Sequence, residues 1–182
     1  GNDAPIRETL AAAMCSLSRL RHYHTMYDPC CGSGTVLIEG ALLANNIAPG
    51  INRNFDVDRW GFIPESVWMS ERERCRDLIK TDTDFVAFGT DIDPKAIELT
   101  LKNAKNIGVD KFIRASVADI KNFDPTTERG TLITNPPKRF IALWATNSLQ
   151  STAGAMASFH PTRSLKNASA ERLTSAANFT TA

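Results

Sequence analysis

Features typical of secreted, membrane and metal-binding proteins are scarce in this sequence. Its 182 residues include only four cysteines and three histidines, and no two cysteines have the CxxC spacing of common zinc and redox motifs. No uninterrupted apolar run approaches the ~20 residues needed to cross a bilayer. The polar start GNDAPIRETL does not resemble a signal peptide. We therefore expect reduced thiols, a cytoplasmic location, no membrane association and no metal.

The charge balance gives no reason to expect a strong overall field. The formal net charge is +1, so nothing global attracts nucleic acid, although a local basic patch could still do so. The length is sufficient for one domain with a real core, and a hydrophobic content of 42% is ordinary for a globular protein. The chain begins with Gly1 rather than Met, which predicts a piece of a longer protein.

Alternating strand and helix patterns predict an α/β domain with a parallel sheet. Short apolar strands are predicted at about 25–28, 85–90, 111–117 and 131–134, and helices at about 5–20, 35–46, 64–79 and 94–108. The apolar residues expected on the core face of the first helix are Ile6, Leu10, Ala13, Met14 and Leu17. After residue 138 the alternation stops, and the pattern indicates no fifth strand.

A glycine turn follows the first predicted strand, directly after Asp28. Gly32 and Gly34 allow the backbone to turn sharply and to approach a ligand closely. The loop is neither GxGxxG nor GxxxxGK[ST], so a phosphate cradle is not favoured. Asp28 instead suits the ammonium group of a ligand that has an amino-acid end, contacted directly or through water.

Carboxylates also follow the next two predicted strands. Asp91 and Asp93 end the second strand, where an acidic residue accepts hydrogen bonds from ribose hydroxyls in nucleotide-binding units. Asp119 follows the third strand and can accept from an adenine amino group. Each acid also has a simpler explanation, because Asp91 or Asp93 can cap the helix that begins at Pro94 and Asp119 can start a turn. Their occurrence at successive strand ends favours a shared nucleoside site.

Several segments in order resemble class I S-adenosylmethionine-dependent methyltransferases, namely DPCCGSGT, GTDIDPKAIELTLKNA, ASVAD and TNPP. Together with GNDAPIRETLAAAM, IEGALLANNIAPGINRNF and Trp60, they resemble bacterial guanine-N2 methyltransferases of large-subunit ribosomal RNA, whose catalytic domain follows an RNA-binding THUMP domain. The resemblance covers residues 1–137. It implies a Rossmann-like fold that here lacks its C-terminal strands, S-adenosyl-L-methionine as cofactor, and ribosomal RNA as partner.

The resemblance also implies roles for individual residues. The methionine part of the cofactor would be held at Asp28, Gly32 and Gly34. Asp91 would hold the ribose and Asp119 the adenine, with Asp93 as a further candidate for cofactor binding.

The stretch Asn135-Pro136-Pro137 predicts the catalytic residues. The prolines fix the backbone and remove amide donors, so carbonyl oxygens face outward. The Asn135 side-chain oxygen and the Pro136 carbonyl can both accept from one planar NH2 group, which positions that amine for methyl transfer. The alternative is an ordinary turn.

The residue after the two prolines departs from the family, in which a tyrosine followed by glycine stacks on the target base. Here Lys138 stands in the place of the tyrosine, followed by Arg139, and a lysine offers no stacking face; stacking is worth ~1–3 kcal/mol per base. A divergent tail with another partner and a shifted reading frame both explain this, and we favour the second. Permitted codons for residues 174–182 read out of frame as KRRKLYNG, which resembles a basic stretch near the end of the family's catalytic domain. We predict a methyltransferase core at 1–137 and a poorly ordered, non-family tail at 138–182.

Other functions stay open at this point. An Asn-Pro-Pro motif also suits methylation of adenine or of a glutamine side chain, and only the flanking resemblance selects guanine. Because Lys138 breaks the stacking site, the chain could be an inactive fragment or a non-catalytic module that binds cofactor or RNA. The arginines between the first two strands suit a solvated helix face better than an RNA contact, because glutamates are interleaved with them.

Overall fold

The computed structural model describes residues 6–127 and 129–136, together with the backbone of a strand at 155–159. The helices are α1 (Glu8–Leu17), α2 (Thr35–Ala44), α3 (Glu65–Asp77) and α4 (Pro94–Ile107). The strands are β1 (Thr25–Asp28), β2 (Val86–Asp91), β3 (Ile113–Val117), β4 (Gly130–Thr134) and β5 (Ala155–Phe159). The first four strands and all four helices lie close to their predicted positions.

The strands form one sheet in the order β3-β2-β1-β4-β5. The pairs β1–β2, β2–β3 and β1–β4 are parallel, which confirms the predicted α/β class. The chain runs outward from β1 to β3 and then returns to the other side of β1, so a crevice is expected between the carboxyl ends of β1 and β4. The fifth strand, antiparallel to β4, was not predicted, and it extends the sheet beyond the four parallel strands.

The core lies between the sheet and two helices, α2 and α4, which contact the strands and each other. α2 is apolar on nearly every side because α1 covers the face that the sheet does not. Its buried residues include Val36, Leu37 and Ala41, and they meet Met26 of β1 and Ile133 of β4 in one cluster. Among the described residues, no helix combines the length and apolar character that crossing a membrane requires.

The predicted core face of α1 is partly wrong. Leu10 and Leu17 are 53% and 71% exposed, whereas Ala11, Met14 and Cys15 are buried. Small residues at positions 11 and 15 allow α1 to approach α2 closely, and the Cys15 thiol donates to the Val36 carbonyl at 3.6 Å. Close helix packing therefore outweighed side-chain hydrophobicity in selecting the buried face.

Candidate cofactor and acceptor site

The loop between β1 and α2 contains two glycines in left-handed conformations. φ is +55° at Gly32 and +82° at Gly34, a region that other residues rarely adopt. A Cβ atom on Gly34 would lie 2.7 Å from Cγ2 of Thr100, so glycine is needed there for close packing against α4. A Cβ atom on Gly32 would project into open space, which leaves the loop backbone accessible to a ligand.

Asp28 ends β1 and is only 2% exposed. Its Oδ1 atom accepts a 3.1 Å hydrogen bond from the backbone amide of Cys30. Burial raises the pKa of Asp28 to about 7, the nearby Thr134 hydroxyl and the Cys30 amide act in the opposite direction, and the negative charge of Asp91 adds to the rise. A cation beside this carboxyl, such as an ammonium group, would favour its ionised form.

Asp91 joins the glycine loop to the end of β2. Its Oδ2 atom accepts from the amide of Gly32 and its Oδ1 atom accepts from the amide of Asp93, each at 3.0 Å. A carboxylate oxygen has more than one acceptor site, so both atoms can still accept from hydroxyl groups of a ligand.

Asp93 and Asp119 make the local contacts of a helix cap and of a turn, respectively, which were the simpler explanations for these acids. Asp93 precedes α4, and its carboxylate accepts at 3.0 Å from the amide of Lys95, as a helix cap does. Asp119 accepts at 2.9 Å from the amide of Lys121 and begins a short 3-10 turn. Both acids therefore contribute to local structure.

Asp28, Asp91 and Asp119 end or follow parallel strands at one edge of the sheet, where Asp28 is in register with Gly89 of β2 and Asp91 with Val117 of β3. Burial raises the pKa of Cys30 to about 12, with further raising contributions from these three carboxylates and a lowering one from the Thr134 hydroxyl. The thiol is half-buried, and this raised pKa favours its protonated form. The structure thus brings the carboxyl ends of β1, β2 and β3 together around one loop.

The fourth strand brings the predicted acceptor motif to the same edge. Asn135 is exposed and Pro136 half-buried, directly after β4, whereas Pro137 and Lys138 lie outside the described residues. Thr134 is only 3% exposed, and within the described part of the chain its hydroxyl has no hydrogen bond of good geometry. This buried hydroxyl lies close enough to Asp28 and Cys30 to lower the pKa of both, between the cofactor and acceptor parts of the site.

Residues 1–172 match the family model described as RMKL-like, methyltransferase domain. The chain belongs to the RMKL-like methyltransferase domain family. This membership confirms the resemblance to S-adenosylmethionine-dependent methyltransferases that the sequence motifs carry.

Individual relatives agree with the family match. "Putative RNA methyltransferase YpsC" of Bacillus subtilis (strain 168) is 37% identical over 134 residues, which are 74% of this chain and 35% of that protein. "Ribosomal RNA large subunit methyltransferase K/L" of Shewanella sp. (strain W3-18-1) is 41% identical over 140 residues, 74% of this chain and 20% of that protein. The chain therefore spans between about a fifth and a third of the length of these relatives.

A solved structure gives the same fold assignment. SMU.472, crystallised in complex with SAH, is 32% identical to this chain, with a TM-score of 0.71. The match covers 79% of this chain and 40% of that protein, and SAH is S-adenosylhomocysteine, the demethylated form of S-adenosylmethionine. The Rossmann-like methyltransferase class predicted from the resemblance is confirmed.

Two α4 residues of this RMKL-like domain support the glycine loop and were missed by sequence reasoning. The Thr100 hydroxyl donates to the Gly32 carbonyl at 2.8 Å, and the Asn103 side-chain amide donates to the Ser33 carbonyl at 3.0 Å. The sequence does contain a sign of this role, because the two polar residues are three positions apart and so share one face of the helix that follows Asp91. Across residues 6–127 and 129–136, no group of three or more His, Cys, Asp or Glu side chains could hold a metal ion.

Proposed function

We propose that this chain is the S-adenosyl-L-methionine-binding core of an RNA methyltransferase that acts on the exocyclic N2 amine of guanine in large-subunit ribosomal RNA. The observation that carries the proposal is the placement of three strand-end carboxylates at one edge of the parallel sheet, with the Gly32 amide bonded to Asp91, beside the strand that leads into Asn135 and Pro136. The relatives named as RNA and ribosomal RNA methyltransferases support the substrate class.

The residues present fit this cofactor. It supplies a methyl group on a sulfonium centre together with an amino-acid end and an adenosine. Open space over Gly32 leaves room for a ligand, and the buried Asp28 carboxyl lacks a neighbouring cation among the residues that influence its pKa. In the proposal the amino-acid part is held by Asp28, Gly32 and Gly34, the ribose by Asp91 and the adenine by Asp119, with Asp93 as a further candidate.

The acceptor part of the site orients an amine. The Asn135 side-chain oxygen and the Pro136 carbonyl accept from the two hydrogens of a planar NH2 group, and Pro137 restricts the backbone that follows. Holding the amine in this way aims its lone pair along the transfer direction, so positioning is the main contribution of these residues. The target base must be unstacked or single-stranded to reach them.

The organisation of the whole protein belongs to the same proposal. We assign the methyltransferase core to 1–137 and a non-family, out-of-frame tail to 138–182, with ribosomal RNA held through a THUMP domain outside these 182 residues, in the cytoplasm. The relatives align over 74% of the chain, while the family match extends to residue 172. Sequencing the gene tests the tail, since codons that forbid the out-of-frame reading would contradict a frame shift.

Two measurements test the function. Calorimetric titration with S-adenosylhomocysteine is expected to show binding by the full chain, and absence of binding would contradict the proposal. Incubation of unmodified ribosomal RNA with labelled S-adenosylmethionine, followed by nucleoside analysis, is expected to yield N2-methylguanosine. N6-methyladenosine would assign adenine as the target instead, and binding without any methylated product would indicate a cofactor-binding module. Asn135→Ala should abolish product formation while leaving cofactor binding unchanged.

A further inference from the structure

A polar cavity lies at the edge of the sheet opposite the strand-end carboxylates. Its volume is about 240 Å³, and Ser16, Arg19, Arg21, Asn46 and Lys80 are among the residues that line it. Ser16 lies in the last turn of α1, and the other four follow α1 or α2 or precede β1 or β2. Because α2 begins at the carboxyl end of β1 and runs back along the sheet, its far end lies near the strand starts.

The cavity is cationic. Arg19, Arg21 and Lys80 line it, and no acidic residue among those that the structure describes does so. The salt bridges of the described residues are Arg72–Asp58 and Arg74–Glu71, so none of them neutralises these three cations.

Two histidines, His22 and His24, lie close to these cations. The Lys80 ammonium lies 3.1 Å from Nδ1 of His22. Burial lowers the pKa of His24, and the positive charge of Arg21 lowers it further.

Stabilisation of helix ends does not account for these side chains. Cations near a helix C-terminus can bond its last carbonyls. The Arg21 side chain instead donates to the Leu20 carbonyl at 3.2 Å, and no side-chain hydrogen bond of the described residues joins Arg19, Arg21 or Lys80 to a last-turn carbonyl of α1 or α2. Arg19 ends α1 through its backbone, with a φ of +55° and an amide that donates to the Ser16 carbonyl at 3.0 Å, so its side chain has no part in that helix end.

We propose that this cavity binds a phosphate group of the RNA backbone and so anchors the substrate away from the catalytic edge. The inference rests on the proposed RNA methyltransferase function. Carboxylates at the catalytic edge repel phosphates, and a net charge of +1 gives no general attraction for RNA, so a local group of cations without carboxylate partners favours contact between this domain and the RNA backbone. The cavity supplies such a group on the described surface.

The test is RNA binding by the full chain at several salt concentrations. The probe is a fluorescein-labelled, mixed-sequence oligoribonucleotide of about 20 nucleotides, measured by fluorescence anisotropy between about 50 and 300 mM salt. Arg21→Gln and Lys80→Gln should each weaken binding by about threefold to tenfold and reduce the slope of log affinity against log salt by about 1. Lys102→Gln, an exposed cation on α4 that does not line the cavity, is the matched control and should leave both quantities unchanged.

Three results would overturn the inference. The first is an Arg21→Gln/Lys80→Gln double variant that binds RNA with the affinity and salt slope of the wild type, whether or not its melting temperature is lower. The second is calorimetric binding of inorganic phosphate that the double variant loses while RNA binding is unchanged, since the cavity would then serve a small phosphate ligand. The third is no RNA binding by the wild-type chain. S-Adenosylhomocysteine binding should be equal in all variants, so its absence from the wild type contradicts the proposed function separately.

Discussion

The backbone amide of Gly32 donates a 3.0 Å hydrogen bond to Oδ2 of Asp91, which lies 59 residues further along the chain. This contact fixes the glycine loop after β1 to the end of β2. Asp91 therefore has two roles in the proposed site, since it holds the loop in place and is the candidate acceptor for the ribose hydroxyls. The two roles predict separable effects when its charge is removed.

Asp91→Asn should weaken S-adenosylhomocysteine binding by about tenfold to a hundredfold, because hydrogen bonds to a charged group contribute about 1.5–3 kcal/mol. Calorimetry measures the loss, and Asp110→Asn, an exposed acid in a different turn, is the control. For an analogue that lacks the ribose hydroxyls, Asp91→Asn should cost less affinity than it does for S-adenosylhomocysteine, because only the loop contact is then weakened. An equal loss with both ligands would show that Asp91 acts on the loop alone.

Gly34→Ala should lower the free energy of unfolding by about 2–4 kcal/mol, because it combines a left-handed φ with a contact against Thr100. Gly108 has the same φ of +82° but open space around its Cβ position, so Gly108→Ala isolates the backbone cost. Gly61→Ala, with open space and no left-handed conformation, should have little effect. Urea unfolding of the three variants checks the order, and equal losses at positions 34 and 108 would exclude the Thr100 contact.

The arrangement of strands and helices followed from local sequence signals. Pro94 and Gly108 mark the ends of α4, and short apolar runs mark the four parallel strands, because each signal acts within a few residues. The strand at 155–159 carries no comparable signal, and the buried face of α1 depends on how closely α2 approaches. Both depend on tertiary pairing, which a local pattern does not contain.

The positions of the acids could be predicted, but their contacts could not. Strand ends placed Asp28, Asp91 and Asp119 at one edge because parallel strands share a direction. The bonds from Thr100 and Asn103 to the glycine loop depend on the rotation of α4 over the loop. Helix rotation is fixed by packing of the whole core, so these supporting residues became visible only in the structure.

Asp28 should make the stability of the ligand-free protein depend on pH. Its pKa is raised from 3.8 to about 7 on folding, so the folded state holds a proton that the unfolded chain releases. The free energy of unfolding should therefore fall as pH rises from about 4 to 7, by up to about 4 kcal/mol, and then level off. Urea unfolding of the wild type and of Asp28→Asn at several pH values measures this effect. The difference between their free energies of unfolding isolates Asp28, because the other titrating groups contribute equally to both proteins.

Two variants control the pH experiment. Thr134→Val removes a hydroxyl that lowers the pKa of Asp28, so the decline in stability should continue to higher pH. Asp82→Asn changes an exposed acid and should reproduce the wild-type curve. A wild-type curve parallel to that of Asp28→Asn between pH 4 and 7 would contradict the raised pKa.

Cys30 should report cofactor binding directly, because it lies half-buried in the loop of the proposed site and donates its amide to Asp28. Its raised pKa makes alkylation slow, so the rates with and without ligand are compared in a large excess of reagent. A ligand that covers the thiol slows alkylation in proportion to the fraction of protein left free, so S-adenosylhomocysteine at about 100 times its Kd should slow the reaction about a hundredfold. Mass spectrometry after N-ethylmaleimide treatment measures each cysteine separately. Cys75, half-buried on α3, is the internal control and should react equally with and without ligand. Equal protection of both cysteines would indicate a global change in stability, and an unchanged Cys30 rate with bound ligand would place the cofactor elsewhere.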